Sequence, residues 1–300
     1  MSDLDLRLVR YFTVVAEELH FGRAAAVLHL AQPSLSRHVR RLEGELGVRL
    51  LDRTTQGTQL TEAGAAFLPR AEALLRSAAE ATAVARAAGH PSRIVIGYMT
   101  GLIVTPAVRA LRVRCSDAEV QHCFLGWGEV SSALLEHRVD VVVGRLPFST
   151  EGLSVTVLYK EPRVLLMPVG HRLAGKEYVT LDDIADEPVP RFPDPELNAV
   201  WRIDPRPDGR PAPDGPLVES LEDKLEVIAA GEAVALVPVG AIQKGLRHDL
   251  TTVPLEGADP VPVVLAMRAG EENRRLLAAF RACAAEQLTP QLPPADQDLS

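Results

Sequence analysis

The first 60 residues contain three stretches in which apolar and polar positions recur at helical spacing. An apolar stripe predicts a first helix over residues 4–18, and it consists of Leu4, Leu8, Phe12 and Val15. Three consecutive alanines in residues 22–28 predict a second helix that a neighbour can approach closely. In residues 32–47, QPSLSRHVRRLEGELG, the leucines share one face and the arginines lie opposite. This third helix is therefore predicted to have a packed side and a cationic side.

The ends of the third helix are also marked in the sequence. Pro33 occupies the first turn, where proline costs no hydrogen bond, and Gly47 can adopt the left-handed conformation that ends a helix. Two short apolar segments around TTQG in residues 48–61 predict a hairpin. Two helices joined by a tight turn and followed by a hairpin are typical of a winged helix-turn-helix, whose second helix enters the major groove of DNA. The alternative is that the basic face is ordinary solvated surface.

One long helix is predicted over residues 61–90, with Thr61 as its cap. Its apolar positions recur at alternating steps of four and three, as in a two-stranded coiled coil. They are Phe67, Ala71, Leu74, Ala78, Ala81 and Ala85. We expect this seam to join two copies of the chain. The alternative is that the helix packs on its own domain.

From Arg93 onward, strand-like apolar runs alternate with amphipathic helices. This order predicts an α/β domain with a parallel sheet and ligand sites at the carboxyl ends of its strands. Residues 153–169 predict two further strands, and residues 178–186 predict a capped helix. Residues 190–216 contain eight prolines and predict irregular structure.

Composition limits how the chain can meet nucleic acid. The 300 residues suffice for two domains, and the net charge of −8 provides no global attraction to DNA. Residues 32–53 nevertheless carry five arginines against three carboxylates, a local net charge of +2. Because this patch is small, one copy should bind weakly, and a dimer on double-stranded DNA is predicted.

The cysteines and the N-terminus bear on location and chemistry. Cys115, Cys123 and Cys283 have no metal-ligand spacing and fit a reducing compartment. The N-terminus is acidic where a signal peptide is basic, and no apolar run reaches membrane-spanning length. We expect a cytoplasmic protein with no membrane partner, metal or cofactor. A thiol sensor that uses Cys115 and Cys123 is one alternative, and a ligand-binding α/β enzyme, for which no catalytic motif is found, is another.

Residues 12–64 resemble the N-terminal domain of the LysR-type transcriptional regulators, through AAAVLHLAQPSLSR, LEGELGVRLLDRT and LTEAG. GRLPF at residues 144–148 and VIAAGEAVALVP at residues 227–238 look most like the branch of benzoate- and muconate-responsive regulators of aromatic catabolism. The resemblance implies a regulator, not an enzyme, that binds promoter DNA as a homodimer or homotetramer, a dimer of dimers. It also implies RNA polymerase as a partner.

The same resemblance implies the domain boundaries. An effector-binding domain like the two-lobed periplasmic binding proteins is expected after the winged helix-turn-helix and the linker helix. The expected ranges are 1–60 for the winged helix-turn-helix, 61–90 for the linker helix, 91–290 for the effector-binding domain and 291–300 for a disordered tail. Within the effector-binding domain, the first lobe is expected at 92–160 and 267–290, and the second lobe at 161–266.

The residues expected to contact DNA follow from the resemblance and from base chemistry. The matching base-reading set is Gln32, Pro33, Ser36 and Arg37, with Ser34 beside it. Arginine can bind guanine, and glutamine adenine, through two hydrogen bonds. Arg40 and Arg41 are expected at phosphates. The hairpin should bring Arg53, Thr54 and Thr55 to the minor groove, although Gln56 stands where many relatives have a second basic residue.

The effector is expected in the cleft between the two lobes, where Thr100 and Gly101 are predicted to precede a helix N-terminus that favours an anion. Arg145 matches a position that lines the site in relatives. Further candidates are Trp127, Phe148, Arg191, Phe192, Glu219 and Ser220. Alternatively, Arg145 pairs with a carboxylate such as Asp140, and Trp127 belongs to the core. The convergence of Arg145 and a helix end predicts a small organic acid as effector, with aromatic acids among the candidates.

Overall fold

A computed structural model of the chain describes residues 4–54, 57–242 and 246–289. The chain divides into two compact units, Met1–Gly89 and His90–Ser300. In the described part, no helix is long and apolar enough to cross a membrane. The predicted tail at residues 291–300 lies outside the described residues.

The N-terminal unit consists of four helices and a hairpin. In chain order these are α1 (Leu6–Glu18), α2 (Phe21–Val27), α3 (Gln32–Leu46), β1 (Leu51–Thr54), β2 (Gly57–Leu60) and α4 (Glu62–Gly89). The Asp5 side chain caps α1, and His20 Nδ1 accepts hydrogen bonds at the start of α2. Gly47, with φ of 71°, ends α3 in the left-handed conformation, as predicted. These local signals are why the helix boundaries follow the sequence closely.

The core of the N-terminal unit fixes the orientation of α3. Leu35 and Leu42 of α3 are fully buried with Leu8 and Phe12 of α1. Glu43 Oε1 accepts hydrogen bonds from the backbone N–H groups of Leu50 (2.8 Å) and Leu51 (3.2 Å), which ties α3 to the hairpin. The apolar face of α3 is therefore held inward and its arginine face outward.

Helix α4 begins against the hairpin, and its first turns belong to the same core. Gly64 lies so close to Leu50 that a side chain here would collide with the Leu50 carbonyl oxygen. The ring of Phe67 lies 5.5 Å from that of Phe12, and Ala71 is fully buried. These two positions of the predicted dimer seam therefore pack within their own unit, because the helix must first cover the three-helix core.

The second unit contains ten strands and five α-helices in its described part. The strands are β3 (Arg93–Tyr98), β4 (Glu119–Phe124), β5 (Val141–Arg145), β6 (Leu153–Glu161), β7 (Arg163–Pro168), β8 (Val189–Arg191), β9 (Asp214–Leu217), β10 (Ala235–Pro238), β11 (Leu250–Pro254) and β12 (Val261–Arg268). The helices are α5 (Thr105–Arg114), α6 (Val130–Leu135), α7 (Pro195–Asn198), α8 (Leu221–Ala229) and α9 (Arg275–Gln287). A π-helix, Ala199–Ile203, follows α7, and a 3-10 helix, Val239–Ala241, follows β10.

This unit has two halves, which correspond to the two predicted lobes. The first half is a five-stranded sheet in the order β4-β3-β5-β12-β6, covered by α5, α6 and α9. The second half contains a three-stranded sheet, β10-β7-β11, and a separate pair, β8-β9, with α8 packed against β7. The predicted parallel pairing holds for β3 with β4 and β5, whereas the sheet of the second half is antiparallel. The chain crosses between halves after Glu161 and again before Val261.

The second crossing corrects the predicted lobe boundary. We expected the second half to extend to residue 266, but β12 lies in the first half, antiparallel between β5 and β6. Most of β12 is buried on both faces, a pattern that does not tell which sheet a strand joins. The predicted helix at residues 178–186 is also wrong, because residues 181–186 form turns in which Asp183 accepts hydrogen bonds from Thr180.

Candidate DNA-contact face and effector cavity

The exposed face of α3 contains most of the residues predicted to contact DNA. Gln32, Pro33, Arg37, Arg40 and Arg41 are exposed, and Ser34 is half-buried. Ser36 is only 8% exposed and lies with the packed side of the helix, next to Leu35. The expectation that Ser36 belongs to the exposed reading face is therefore corrected.

Most of the arginine side chains on this face are available to bind an anion. Arg41 Nε bonds Glu45 Oε1 at 2.9 Å, one turn along the helix. Within residues 4–54, 57–242 and 246–289, no salt bridge involves Arg37 or Arg40. Ala31, at the N-cap, provides no side-chain acceptor, Pro33 has no N–H, and the Ser34 N–H donates to the Ala31 carbonyl. Of the first-turn groups, the N–H of Gln32 therefore remains available to a phosphate. The arrangement fits a helix that lies in a groove.

The hairpin forms as predicted, with β1 paired antiparallel to β2 from Leu51 with Leu60 to Thr54 with Gly57. The predicted contacts of Arg53, Thr54 and Thr55 stay predictions. Thr55 lies outside the described residues, and the structure does not describe the side chains of Arg53 and Thr54.

A small cavity lies between the two halves of the second unit. The first half contributes Met99, Thr100, Trp127 and Arg145, and the second half contributes Leu166, Phe192, Trp201, Leu221, Lys224, Val237, Pro238, Ala241 and Ile242. Apart from Thr100, Arg145 and Lys224, the lining is apolar or aromatic.

Arg145 is buried and already paired. Its Nε donates to Glu161 Oε2 at 2.7 Å and its Nη2 to Oε1 at 3.2 Å, while Nη1 donates to the Thr100 carbonyl at 2.5 Å. Both members of the ion pair are nearly inaccessible, at 4% and 2% exposure. Arg145 therefore pairs with a carboxylate, as the alternative predicted. The partner is Glu161, however, and not Asp140, which pairs with Arg268. Glu161 neutralises the charge that Arg145 would offer to a ligand.

Two glycines allow the halves to approach closely beside this ion pair. A side chain at Gly240 would collide with Glu161 Oε1, and one at Gly101 would collide with the Gly240 carbonyl oxygen. Gly101 also has a φ of +72°. Helix α5 begins only at Thr105. Thr100 and Gly101 therefore do not lie at a helix N-terminus, and the expectation of an anion site there is corrected.

Lys224 is a cavity residue that sequence reasoning missed. It is 6% exposed, and its Nζ lies 5.3 Å from the ring centre of Trp127 and 5.8 Å from that of Phe192. Burial, and secondarily the charge of Arg145, lowers the pKa of Lys224 to about 8. No hydrogen bond or salt bridge to its ammonium occurs within the described residues. The pattern LEDKLEVIA gave no signal for it, because a lysine in a short amphipathic helix normally lies on the exposed face.

The aromatic walls are held in place from behind. Asn198 donates to the Phe192 carbonyl at 2.6 Å and accepts from the Phe192 N–H at 2.9 Å. The guanidinium of Arg163 lies 5.4 Å from the Trp201 ring centre and donates to the Val200 carbonyl. These contacts hold Phe192 and Trp201 in place in the ligand-free protein.

The structure brings together four predicted effector residues and leaves five outside. Thr100, Trp127, Arg145 and Phe192 line the cavity. The others do not line it and are Gly101, Phe148, Arg191, Glu219 and Ser220. Of these, Phe148 packs on the core of the first half, Arg191 donates to the Gly215 carbonyl, and Ser220 caps α8, the helix that carries Lys224.

The cysteines do not favour the thiol-sensor alternative. Cys115, one of the two thiols of that alternative, is free and buried, which limits access of an oxidant to it. Cys283 is also free and buried, and burial raises the pKa of Cys283. Cys123, half-buried on β4, is also free. Within the described ranges, no group of three or more potential metal ligands is found.

Family models match both units of the chain. Residues 6–65 match the bacterial regulatory helix-turn-helix protein of the lysR family, and residues 87–289 match the LysR substrate binding domain. The chain belongs to the LysR family. It is a DNA-binding transcriptional regulator with an effector-binding domain, as the sequence predicted.

Similar proteins of known name span nearly the whole chain. The probable cat1 operon transcriptional activator of Acinetobacter lwoffii is 32% identical and covers 90% of this chain and 92% of its own. BenM of Acinetobacter baylyi is 30% identical over 92% of this chain and 94% of its own. A crystal structure of full-length BenM, 26% identical, superposes with a TM-score of 0.52 and covers 94% of this chain and 96% of that one. The relatives are regulators of transcription, not enzymes.

Proposed function

We propose that this LysR-family regulator reads promoter DNA through the exposed face of α3 and responds to a small organic anion bound in the cavity between the halves of its second unit. The observation that carries the proposal is the cavity itself, which combines aromatic walls with the buried, unpaired cation of Lys224. The protein is proposed to act in the cytoplasm as a dimer of dimers that contacts RNA polymerase.

The DNA component is supported by the geometry of α3. Arg37 and Arg40 lie on the exposed side of a helix whose apolar side is fixed by the core. An arginine at a guanine carries sequence information, whereas an arginine at a phosphate adds affinity for any duplex. Arg37 is proposed for the first role and Arg40 for the second.

This division is tested by binding titrations with the fragment upstream of the regulator's own gene and with random duplex of equal length. Arg37→Ala should reduce the preference for the promoter by about 5- to 150-fold, the worth of one good base contact. Arg40→Ala should weaken binding to both duplexes and reduce the salt slope by about one. Arg109→Ala, which removes an exposed arginine of α5, is the matched control. Unchanged discrimination in Arg37→Ala would refute the assignment.

Dimerisation is proposed for the exposed part of the α4 seam. Leu74 is 37% exposed, Ala81 and Ala85 are exposed, and Ala78 is half-buried. Phe67 and Ala71 belong to the core of their own unit, so the exposed seam begins at Leu74, about two turns later than the sequence suggested. Two copies joined here would convert two weak contacts with DNA into one strong contact.

The effector component is tested by calorimetry on the full chain. Benzoate, salicylate and muconate represent small organic acids, and benzamide is the uncharged match for benzoate. The resemblance of GRLPF and VIAAGEAVALVP to regulators of aromatic catabolism is the reason for starting with these acids. Binding of at least one acid, with benzamide much weaker, is expected. Absence of heat and of any change in unfolding temperature for the whole set would contradict the proposed effector class.

A further inference from the structure

We propose that Lys224, not Arg145, binds the charged group of the effector, and that the cavity selects a ligand with one negative charge and a flat apolar body. This inference rests on the proposed effector function and deepens it.

The charges at the cavity sum to one unpaired cation. Arg145 and Lys224 are the charged side chains among the described lining residues, and Glu161 forms two hydrogen bonds with Arg145. Glu161 thus neutralises the positive charge of Arg145. The positive charge of Lys224 has no such counterion among the described lining residues. A monoanion would neutralise the site, whereas a dianion would bring a second charge into an apolar cavity without a partner.

The neighbours of Lys224 stabilise its ammonium only in part. Trp127 and Phe192 offer the faces or edges of two rings at 5.3 and 5.8 Å. Such contacts stabilise an ammonium by far less than the hydration that it loses on burial. Within the described residues, no group supplies the strongest interaction of this cation, a charge-assisted hydrogen bond to an anion.

The walls indicate the body of the ligand. The polar contributions other than Lys224 are Thr100 and the paired Arg145, and the remaining lining consists of Trp127, Phe192, Trp201 and aliphatic side chains. These surfaces offer dispersion contacts to a flat ring but few hydrogen bonds to a sugar or a peptide. Aromatic monocarboxylates combine the required charge and shape.

Lys224 is also the group that should titrate when such a ligand binds. Burial lowers the pKa of Lys224 to about 8. The facing charges are Arg145 with its partner Glu161, and Arg163 of β7, which donates to backbone carbonyls. Helix α8 itself carries three carboxylates, and all three are exposed to solvent: Glu222, Asp223 and Glu226. An anion stabilises the protonated amine, so binding near pH 8.5 should take up protons.

The chain provides its own reporter for the test. Its two tryptophans, Trp127 and Trp201, both line the cavity. Intrinsic fluorescence therefore reports occupancy of this site without a label. Titrations would use the full-length protein with benzoate, its dianionic analogue phthalate, and neutral benzamide.

Three variants give the matched comparison. Lys224→Met removes the charge and keeps the length of the side chain, Lys224→Arg keeps the charge, and Lys160→Met removes an exposed lysine of β6. Benzoate affinity should fall about 10- to 150-fold in Lys224→Met, since a hydrogen bond to a charged group is lost. It should fall less in Lys224→Arg and not at all in Lys160→Met. Benzamide binding should be equal in Lys224→Met and the native protein.

The outcomes separate this inference from the proposed function. Native protein that binds benzoate, with Lys224→Met binding it equally well, would overturn the role of Lys224 and leave the effector function intact. Native protein that binds none of the acids would overturn both. If Lys224→Met does not fold, calorimetry of native protein at pH 8.5 in two buffers of different ionisation enthalpy still decides. Proton uptake on benzoate binding supports the inference, and its absence contradicts it.

Discussion

Removal of the buried charge at Lys224 should make the ligand-free protein more stable. The pKa of Lys224 falls from 10.5 to about 8 on folding, so at pH 7 the folded state holds a proton that it binds less well than the unfolded chain does. A shift of that size corresponds to about 3 kcal/mol of destabilisation at pH 7. The substitution also removes the contacts of the ammonium with the two aromatic rings, which reduces the gain in stability by about 1 kcal/mol. Lys224→Met should therefore gain about 2 kcal/mol.

The gain should depend on pH in a defined direction. Between pH 8 and 10.5 the unfolded chain binds more protons at this site than the folded chain, so the stability of native protein rises with pH. By pH 9.5 the cost of the buried charge should have fallen to roughly half its value at pH 7. The advantage of Lys224→Met over native protein should shrink accordingly.

Thermal unfolding followed by tryptophan fluorescence measures this gain, because both tryptophans lie in the second unit. At pH 7 the midpoint of Lys224→Met should rise by about 4–8 °C, the shift expected for about 2 kcal/mol in a domain of this size. Lys160→Met, which removes an exposed charge, should stay within about 2 °C. A lower midpoint in Lys224→Met, or a difference that does not change with pH, would refute the view of Lys224 as a strained, unpaired cation.

Three further substitutions test other contacts. Glu161→Gln leaves Arg145 buried without its counterion and should lower the free energy of unfolding by about 3–5 kcal/mol in denaturant titrations; a loss below about 1 kcal/mol would show that the pair is dispensable. Gly240→Ala places a methyl group against Glu161 and should lower the fluorescence-detected midpoint, whereas Gly170→Ala, at an exposed glycine with nothing within 4 Å and, like Gly240, no positive φ, should leave the midpoint nearly unchanged. Leu74→Glu should shift sedimentation toward monomer, and an unchanged distribution would remove α4 as the dimer seam.

The parts predicted well from sequence are those fixed by local chemistry. The period of the leucines, first-turn Pro33 and terminal Gly47 define α3 without reference to the rest of the chain. The parts predicted poorly depend on distant neighbours. Ser36 is buried because α3 packs more broadly than its leucine stripe. The half that β12 joins could not be predicted, because a strand that is buried on both faces has no pattern that tells which sheet it joins.

The cavity shows the same division. Arg145 was identified as a cavity residue, but its pairing with Glu161 depends on a strand that lies next to β12 in the folded sheet. Lys224 was missed because nothing local distinguishes a lysine that α8 turns inward from one that it turns to solvent. Only the packing of α8 against β7 and the aromatic residues around the cavity reveals the difference.

In the proposed function, occupancy of the Lys224 cavity changes how the α3 face engages promoter DNA. The most direct test is the affinity of full-length protein for its promoter fragment, measured by fluorescence anisotropy across a benzoate titration in native protein and in Lys224→Met. We expect the two proteins to bind DNA equally without acid, and benzoate to change promoter affinity only in native protein, with a midpoint equal to its calorimetric Kd. An equal benzoate response in Lys224→Met, or none in native protein that binds benzoate, would contradict the account.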